Sequence, residues 1–256
     1  MPMHGYLTIL DDVARWIRAA RRVVALTGAG ISTDSGIPDF RGPNGVWRKD
    51  PKAGKLATLE HYMGDRSVRV AAWKTRLEHP AWRAEPNAGH VALGELERKG
   101  KLHTLVTQNI DGLHLAAGSS PDNVIEIHGT MSEVVCMSCD ERAPMQRALE
   151  RVRAGEDDPR CRSCGGVLKS ATISFGQSLV AADVARAQRA AAACDVFLAI
   201  GTSLVVYPVA YLPQTALDAG ARLVILNAEP TPYEERADAL VRAPLGEALP
   251  ELARRV

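Results

Sequence analysis

The sequence predicts an α/β fold: a Rossmann-like, doubly wound parallel sheet that carries a smaller inserted domain. Five short apolar runs recur along the chain, helical stretches alternate with them, and each run ends in small or polar residues. Buried parallel strands are continuous apolar runs, and their alternation with helices is typical of a doubly wound sheet. The predicted strands are residues 23–27, 102–106, 124–127, 196–200 and 223–226.

Helices are predicted before and between these strands. Residues 11–21 repeat apolar side chains at i, i+3, i+4 and i+7, with acids at the start and bases at the end, as in an amphipathic helix. A second helix is expected over 87–99, where Asn87 is a suitable N-cap. The alanine-rich stretch 182–194 is expected to form a third.

Two segments do not fit the alternation and predict the inserted domain. Residues 48–83 have helical patterning, and residues 133–167 carry four cysteines. With 256 residues, 46% of them hydrophobic, the chain can bury one large core and a smaller one. We expect the two segments to form a small zinc-binding and helical domain, and residues 1–47, 84–132 and 168–256 to form the Rossmann-like domain.

Charge and hydropathy exclude several function classes. Thirty-one basic and 30 acidic residues give a net charge of +1, so nothing favours nucleic acid or an anionic membrane as a partner. The first residues lack the basic region and apolar core of a signal peptide. No run approaches the roughly 18 apolar residues that a membrane span needs. We expect a cytoplasmic, monomeric protein with no membrane and no direct nucleic-acid contact.

Four cysteines form two C-x₂-C pairs, Cys136 with Cys139 and Cys161 with Cys164, separated by 21 residues. This pattern predicts a closed Cys₄ zinc site, whose role is structural because no coordination position is left for water. Disulfides suit a reducing cytoplasm poorly, and a redox pair does not need the second pair. A zinc ribbon that grips nucleic acid is an alternative, although acids offset the nearby arginines. Cys194 is expected to be a small core residue.

The run 28–47 contains five glycines and two prolines and directly follows the first predicted strand. Glycine lets backbone N–H groups approach a pyrophosphate closely. The dinucleotide fingerprint G-x-G-x-x-G fails, because Thr33 stands where the third glycine belongs. Either a nucleotide is held in another way or the run is only a tight turn. Asp39, Phe40 and Arg41 add a charge, a ring and a guanidinium to this run.

Other strand ends carry polar groups that favour the first alternative. Gln108, Asn109 and Asp111 provide amides and a carboxylate suited to a carboxamide and ribose hydroxyls. His128 provides a base whose ordinary pKa lies near neutrality. A lone histidine is more often a satisfied polar residue than a catalyst. His128 differs because it ends a strand at the same predicted sheet edge, whereas we assign that ordinary role to His4, His61, His79, His90 and His103.

Several motifs follow one another in a fixed order. They are 28–32, 36–41, 107–114, 128–129, the cysteine tetrad, Phe175-Gly176, 201–204 with Tyr207-Pro208, and Asn227. Together they closely resemble the sirtuins, which are NAD-dependent protein lysine deacylases, over about residues 20–250. Independent motifs in the correct order are far more specific than any one glycine pattern.

The resemblance implies an NAD site and one structural zinc. Ala29, Gly30 and Ser32 would line the pyrophosphate and ribose region, and Phe40 would cover the nicotinamide pocket. The implied NAD-binding residues are Gly28, Ala29, Gly30, Ser32, Thr33, Asp39, Phe40, Arg41, Trp47, Gln108, Asn109, Ile110, Asp111, His128, Gly201, Thr202, Ser203, Asn227, Ala228, Glu229 and Leu245.

The resemblance also implies the chemistry. The acyl-lysine carbonyl oxygen attacks C1′ of the nicotinamide ribose as nicotinamide leaves, and His128 acts as general base on a ribose hydroxyl, with Asn109 as the second catalytic residue. Water then completes the reaction. Lysine and O-acyl-ADP-ribose are the products. No protein nucleophile is required, in agreement with the absence of an obvious nucleophile and base pair. Acyl-lysine proteins would bind as an added strand against Phe175, Gly176, Val205 and Tyr207.

One departure from the sirtuin pattern concerns the residues that would contact the acyl group. Some sirtuins that prefer acidic acyl groups carry Tyr-x-x-Arg on a helix in the first insertion, whereas this chain has Trp73 and Arg76 in those places. Both residues are candidates for acyl contact. The alternative is a tryptophan that packs the insertion and an arginine on a solvated face. Gln177, where many relatives have Glu, is a lesser departure.

Two other functions remain as alternatives. Mono-ADP-ribosyl transfer to a protein shares the attack at C1′. A non-enzymatic, NAD-sensing zinc-ribbon protein is disfavoured by His128 at the sheet edge and by the balanced charge.

Overall fold

The computed structural model describes residues 5–42, 45–49 and 58–256, without the side chains of Trp47 and Arg48. Part of the predicted helical insertion and the side chain of the predicted NAD residue Trp47 therefore lie outside the described residues. Within these ranges the strands are β1 (Val23–Thr27), β2 (Leu102–Thr107), β3 (Val124–Glu126), β4 (Gly129–Cys136), β5 (Arg142–Pro144), β6 (Leu168–Thr172), β7 (Val196–Ile200), β8 (Arg222–Leu226) and β9 (Ala239–Val241).

The main sheet contains six parallel strands in the order β3-β2-β1-β7-β8-β9. This confirms the predicted fold class, and all five predicted strands are present to within one residue at either end. The chain adds strands on one side of β1 and then on the other, so the order reverses between β1 and β7. Ligands of doubly wound sheets bind at such a reversal, beyond the carboxyl ends of the strands.

Helices cover both faces of this sheet. The α-helices of the whole structure, in the described ranges, are α1 (Gly5–Ala19), α2 (Val46–Lys49), α3 (Leu59–Gly64), α4 (Arg66–Leu77), α5 (Ala88–Arg98), α6 (Leu113–Ala116), α7 (Met145–Arg153), α8 (Ala181–Ala192), α9 (Leu212–Asp218) and α10 (Leu245–Arg255). The first helix begins six residues before its predicted start. Asn87 caps α5, as predicted, by accepting from the Gly89 N–H at 2.9 Å.

Two apolar clusters fix these helices to the sheet. Leu10, Leu93 and Leu249, from α1, α5 and α10, pack on one face with the inward side chains of β1, β2 and β7. Ala187 and Leu212, from α8 and α9, pack on the other face around Phe197. Burial on both faces explains why these strands are continuous apolar runs in the sequence. None of the helices in the described ranges is long and apolar enough to cross a membrane.

A second, three-stranded antiparallel sheet has the order β5-β4-β6. Its strands begin at Gly129 and end at Thr172, so this sheet extends beyond the predicted boundaries of 133–167 on both sides. Trp73 of α4 is fully buried against Met145 and Leu149 of α7. This packing between the two insertions supports our proposal that they form one small domain.

A buried ion pair also links the two insertions. The Arg69 Nε atom lies 3.0 Å from Asp158 Oδ1, and both side chains are at most 6% exposed. The Arg69 guanidinium also donates to the carbonyls of Tyr62 and Met63. Because several hydrogen bonds compensate its desolvation, this cation can remain buried.

Candidate active site

A cavity of about 1420 Å³ opens at the carboxyl ends of the parallel strands, where the strand order reverses. The segments that follow β1, β2, β7 and β8 all line it. These are the strand ends at which the sequence places glycine, amide and carboxylate residues. The fold thus brings together groups that lie up to 200 positions apart in the chain.

The glycine run meets the end of β7 backbone to backbone. The Gly28 N–H donates to Ile200 O at 3.0 Å, and the Gly30 N–H donates to Gly201 O at 2.9 Å. A Cβ on Gly28 would lie 2.7 Å from Gly201 O. Gly201 has a φ of 59° and would place a Cβ 2.6 Å from the Ile31 nitrogen. Glycine is needed at both positions, since any side chain would push the two strand ends apart.

The run 28–47 is not only a loop, because residues Ala29–Ser35 form a 3₁₀ helix. A hydrogen-bonded network from the end of β2 holds it. Asn109 Nδ2 donates to Gly28 O and to Ser32 Oγ, both at 3.1 Å. The Ser32 hydroxyl donates to Asp111 Oδ2 at 2.7 Å. These side chains therefore fix the shape of the cavity floor before any ligand binds.

Two histidines lie beneath this network. His90 Nδ1 accepts from the Asn87 N–H at 3.3 Å, so its Nε2 carries the proton and lies 3.4 Å from Ser32 Oγ. The His90 ring packs edge-on against His114 with 4.9 Å between ring centroids. Burial lowers the pKa of both rings. We predicted that His90 is an ordinary polar residue. The structure adds that it contacts the site through Ser32.

His128 follows β3 and lines the cavity. Its Nδ1 lies 3.1 Å from Gln108 O. The carbonyl can only accept, so Nδ1 carries the proton and Nε2 carries a lone pair. Burial lowers the pKa of His128, and the hydrogen bond to Gln108 O partly opposes this. The ring is therefore neutral at pH 7 and can accept a proton at Nε2.

The cavity collects nearly all the residues singled out from the sequence. Every predicted NAD residue lines it except Trp47, whose side chain lies outside the described residues. Gln108 Nε2 also donates to Thr202 Oγ1 at 2.8 Å and so joins the ends of β2 and β7. Of the predicted substrate residues, Phe175, Gly176, Tyr207 and Arg76 line the cavity. Val205 does not line the cavity. It is exposed and directly precedes Val206, which does line the cavity.

Trp73 and Arg76 have different surroundings. Trp73 is fully buried in the small apolar cluster and does not line the cavity. Its role is therefore the packing role that we considered as an alternative. Arg76 does line the cavity, and its guanidinium carbon lies 5.0 Å from the centroid of the Trp73 ring and 5.2 Å from that of Tyr62. The two rings hold the guanidinium at the cavity by cation–π contact.

The four predicted zinc ligands converge at one point. Their Sγ atoms all lie within 4.8 Å of one another. Cys136 and Cys164 are 3.5 Å apart, and Cys139 and Cys161 are 3.8 Å apart. A tetrahedral site with Zn–S bonds of about 2.3 Å requires sulfur atoms about 3.8 Å apart. The cysteines fit a structural zinc. Burial raises the pKa of Cys194 to about 12, so this fifth cysteine stays a neutral thiol.

Sequence reasoning missed part of the cavity wall. His79 lines the cavity, although we treated it as an ordinary polar residue. Helix α8 presents Ala181, Val184, Ala185 and Gln188, spaced i, i+3, i+4 and i+7, a pattern that could have identified this face. Arg242 follows β9, an edge strand that was not among the predicted strands. The other lining residues, which had no individual assignment from the sequence although some lie in the run 28–47 or in the stretch 205–208, are Asp34, Ile37, Pro38, Gly42, Val46, Thr172, Ile173, Ser174, Gln177, Ser178, Leu179, Val206, Pro208, Pro230, Ala243 and Pro244.

Comparison with known proteins connects this site to one family. The family model described as Sir2 family matches residues 28–208. NAD-dependent protein deacetylase 2 of Streptomyces coelicolor is 54% identical over 232 residues, which cover 91% of this chain and 96% of the relative. NAD-dependent protein deacetylase 1 of Pyrobaculum aerophilum is 44% identical over 248 residues, which cover 96% and 94%.

Solved structures agree with the sequence relatives. A Sir2 variant with a deacetylated p53 peptide and 3′-O-acetyl ADP-ribose has a TM-score of 0.86 at 33% identity and covers 96% of each chain. Sir2 with a p53 peptide and NAD⁺ has a TM-score of 0.82 at 33% identity and covers 100% of this chain and 97% of the other. The sirtuin resemblance drawn from the motifs is confirmed, and this chain belongs to the Sir2 family.

Proposed function

We propose that this protein removes acetyl and other acyl groups from lysine side chains of proteins and consumes NAD in the reaction. Formally, the acyl group is transferred to ADP-ribose, and nicotinamide is released. The observation that carries the proposal is His128, a neutral base with a free Nε2 in the same cavity as the network of Asn109, Ser32 and Asp111. Relatives that match nearly the whole chain are named NAD-dependent protein deacetylases.

The cavity has matched groups for both halves of NAD. Glycine at positions 28 and 30 lets the turn after β1 pack directly against Gly201 at the end of β7. Both strand ends therefore border the part of the cavity where the pyrophosphate would lie. Asn227 and Glu229 would hold the adenosine side. Asn109 and Asp111 would hold the nicotinamide ribose, since they are already fixed by Ser32 and Gly28. When bound, NAD supplies an electrophilic C1′ and a good leaving group.

His128 would act on a ribose hydroxyl once the acyl oxygen has become attached to C1′. Its Nε2 accepts the hydroxyl proton, and Gln108 O holds Nδ1–H at 3.1 Å. The carbonyl fixes the tautomer and stabilises the imidazolium that forms. Phe40, which lines the cavity, would cover the nicotinamide site and hinder the return of the leaving group.

The acyl-lysine substrate would enter beside Phe175 and Gly176 on one side and Val205 to Tyr207 on the other, as an added strand. Structures of Sir2 with p53 peptides support a peptide as the substrate form. Arg76 at the cavity provides a cation that would meet an acidic acyl group. A monomeric, cytoplasmic protein without direct nucleic-acid contact is part of the same proposal, on the basis of the sequence.

The decisive experiment incubates acetyl-lysine and succinyl-lysine peptides with and without NAD. We expect nicotinamide release coupled to deacylation, and almost complete loss of both in His128→Ala. His103→Ala is the matched control, because His103 is exposed on β2 and does not line the cavity. Deacylation without NAD, or deacylation that survives His128→Ala, contradicts the proposal. A gain of ADP-ribose on a protein substrate, detected by mass spectrometry, supports ADP-ribosyl transfer instead.

A further inference from the structure

Arg242, the residue directly after β9, donates to the loop that follows β8. Its Nη1 lies 2.6 Å from Asn227 O and 2.8 Å from Glu229 O. Its Nη2 donates to the Glu234 carboxylate. Arg242, Asn227 and Glu229 all line the large cavity, whereas Glu234 does not. One guanidinium thus joins two loop carbonyls at the cavity to a carboxylate outside it.

The loop is closed around this guanidinium by further bonds. Asn227 Nδ2 donates to Glu229 O at 2.7 Å, and the Asn227 N–H donates to Val241 O at 3.2 Å. Glu234 Oε1 also accepts from the Thr231 N–H at 2.8 Å. We call residues 227–234, closed on Arg242, the adenosine-side loop. Without Arg242, the carbonyls of Asn227 and Glu229 would lose a shared donor.

The charges support the same arrangement. The side chains of Arg242 and Glu234 are 28% and 26% exposed, so water screens this pair only partly. The hydrogen bond from Arg242 is the main reason that the pKa of Glu234 is lowered. Charge-assisted bonds from a planar guanidinium hold several acceptors in fixed directions. A lysine, which is a point charge on a flexible stem, cannot reproduce this geometry.

We propose that Arg242 is a positioning residue for the adenosine end of NAD. It acts through the adenosine-side loop, which it holds in the binding arrangement before the dinucleotide arrives. Binding then avoids the entropy cost of ordering the loop, and this lowers the Kd and the KM for NAD. Chemistry at C1′ takes place at the other end of the cavity, beside His128, and is not affected. The inference rests on the proposed NAD-dependent deacylation.

The test measures kcat, KM for NAD and KM for an acetyl-lysine peptide in four variants. Arg242→Met should raise KM for NAD about tenfold, as expected for loss of charge-assisted hydrogen bonds, with kcat and peptide KM unchanged. Arg242→Lys should fall between Arg242→Met and wild type. Glu234→Gln should raise KM for NAD by a smaller factor, although Glu234 does not line the cavity. Arg236→Met, which removes a nearby ion pair with Asp218 outside the cavity, should leave KM unchanged.

Two outcomes overturn the inference. One is an unchanged KM for NAD in Arg242→Met, and the other is a parallel loss of kcat and peptide affinity, which indicates general damage to the fold. Calorimetric Kd values for NAD without peptide separate this inference from the proposed function. If the wild-type protein binds NAD but does not deacylate, the proposed function is wrong. The Kd values of the variants for NAD then still test the role of Arg242 in the adenosine-side loop.

Discussion

Acidification below pH 6.5 should destabilise the fold through the buried ring of His114. This side chain lies on α6, and its residue is only 2% exposed. Its Nε2 lies 3.0 Å from Thr27 Oγ1, and the Thr27 hydroxyl donates its own proton to Thr107 Oγ1 at 2.8 Å. Thr27 must therefore accept from Nε2–H, and Nδ1 carries the lone pair. Nδ1 is buried with no hydrogen-bond partner in the described part of the chain.

The size of the effect follows from the pKa. Burial, with a smaller contribution from His90, lowers the pKa of His114 from 6.5 to about 3. The unfolded chain therefore binds a proton below pH 6.5, whereas the folded chain does not do so until about pH 3. This contribution to stability is present above pH 6.5 and is lost as the pH falls towards 3. Between pH 7 and pH 5 the loss is about 2 kcal/mol, at about 1.4 kcal/mol for each pH unit below 6.5.

Urea unfolding at pH 7 and pH 5 measures this loss. His114→Gln keeps an N–H donor for Thr27 but cannot be protonated, so its free energy of unfolding should fall by about 2 kcal/mol less than that of wild type. His103→Gln is the control for the replacement of a histidine by glutamine, because His103 is exposed on β2. Other titrating groups act equally in all three proteins. If His114→Gln loses as much stability as wild type, the assigned tautomer and the buried Nδ1 lone pair are refuted.

Three further predictions concern the glycine contact, the cysteine site and the catalytic base. Gly28→Ala should weaken NAD binding about fivefold or more, measured by calorimetry, because its Cβ would lie 2.7 Å from Gly201 O and overpacking costs about 1–3 kcal/mol. Cys136→Ser should lose the single bound zinc, measured by elemental analysis, and should unfold at a lower temperature, whereas Cys194→Ser should retain the metal. The plot of kcat/KM against pH should fall on the acid side with a midpoint below pH 6.5, because burial lowers the pKa of His128 from its ordinary value of 6.5 and its neutral form is the base. A fall in kcat/KM on the acid side whose midpoint lies above pH 6.5 contradicts that role.

The fold was predictable where burial leaves a clear pattern in the sequence. The central strands are covered on both faces and are therefore continuous apolar runs, which located β1, β2, β7 and β8, and the edge strand β3 was located in the same way. The edge strand β9 was not predicted, because its apolar residues are directly flanked by the charged residues Asp238 and Arg242. The second sheet extends from Gly129 to Thr172 because β4 pairs with β6 across the cysteine segment. Such long-range pairing leaves no local signal.

The residues of the candidate site were likewise predictable only in part. Residues that end predicted strands, such as Gly28, Asn109 and His128, could be found because a parallel sheet collects strand ends at one edge. Trp73 and Arg76 could not be separated from sequence, since helical spacing does not tell which side chain is buried and which lines the cavity. His90 and Arg242 act through hydrogen bonds to distant loop atoms, which no spacing encodes.

By itself, the sequence determined the α/β fold class, the family, the four thiolate ligands of one structural zinc, and the set of groups available for NAD chemistry. These depend on residue types and on spacings along the chain. Only the tertiary structure decided the tautomers of His114 and His128, the burial of Trp73, and the closure of the adenosine-side loop on Arg242. These depend on which atoms meet across the fold and on how much water remains between them, and packing alone sets both.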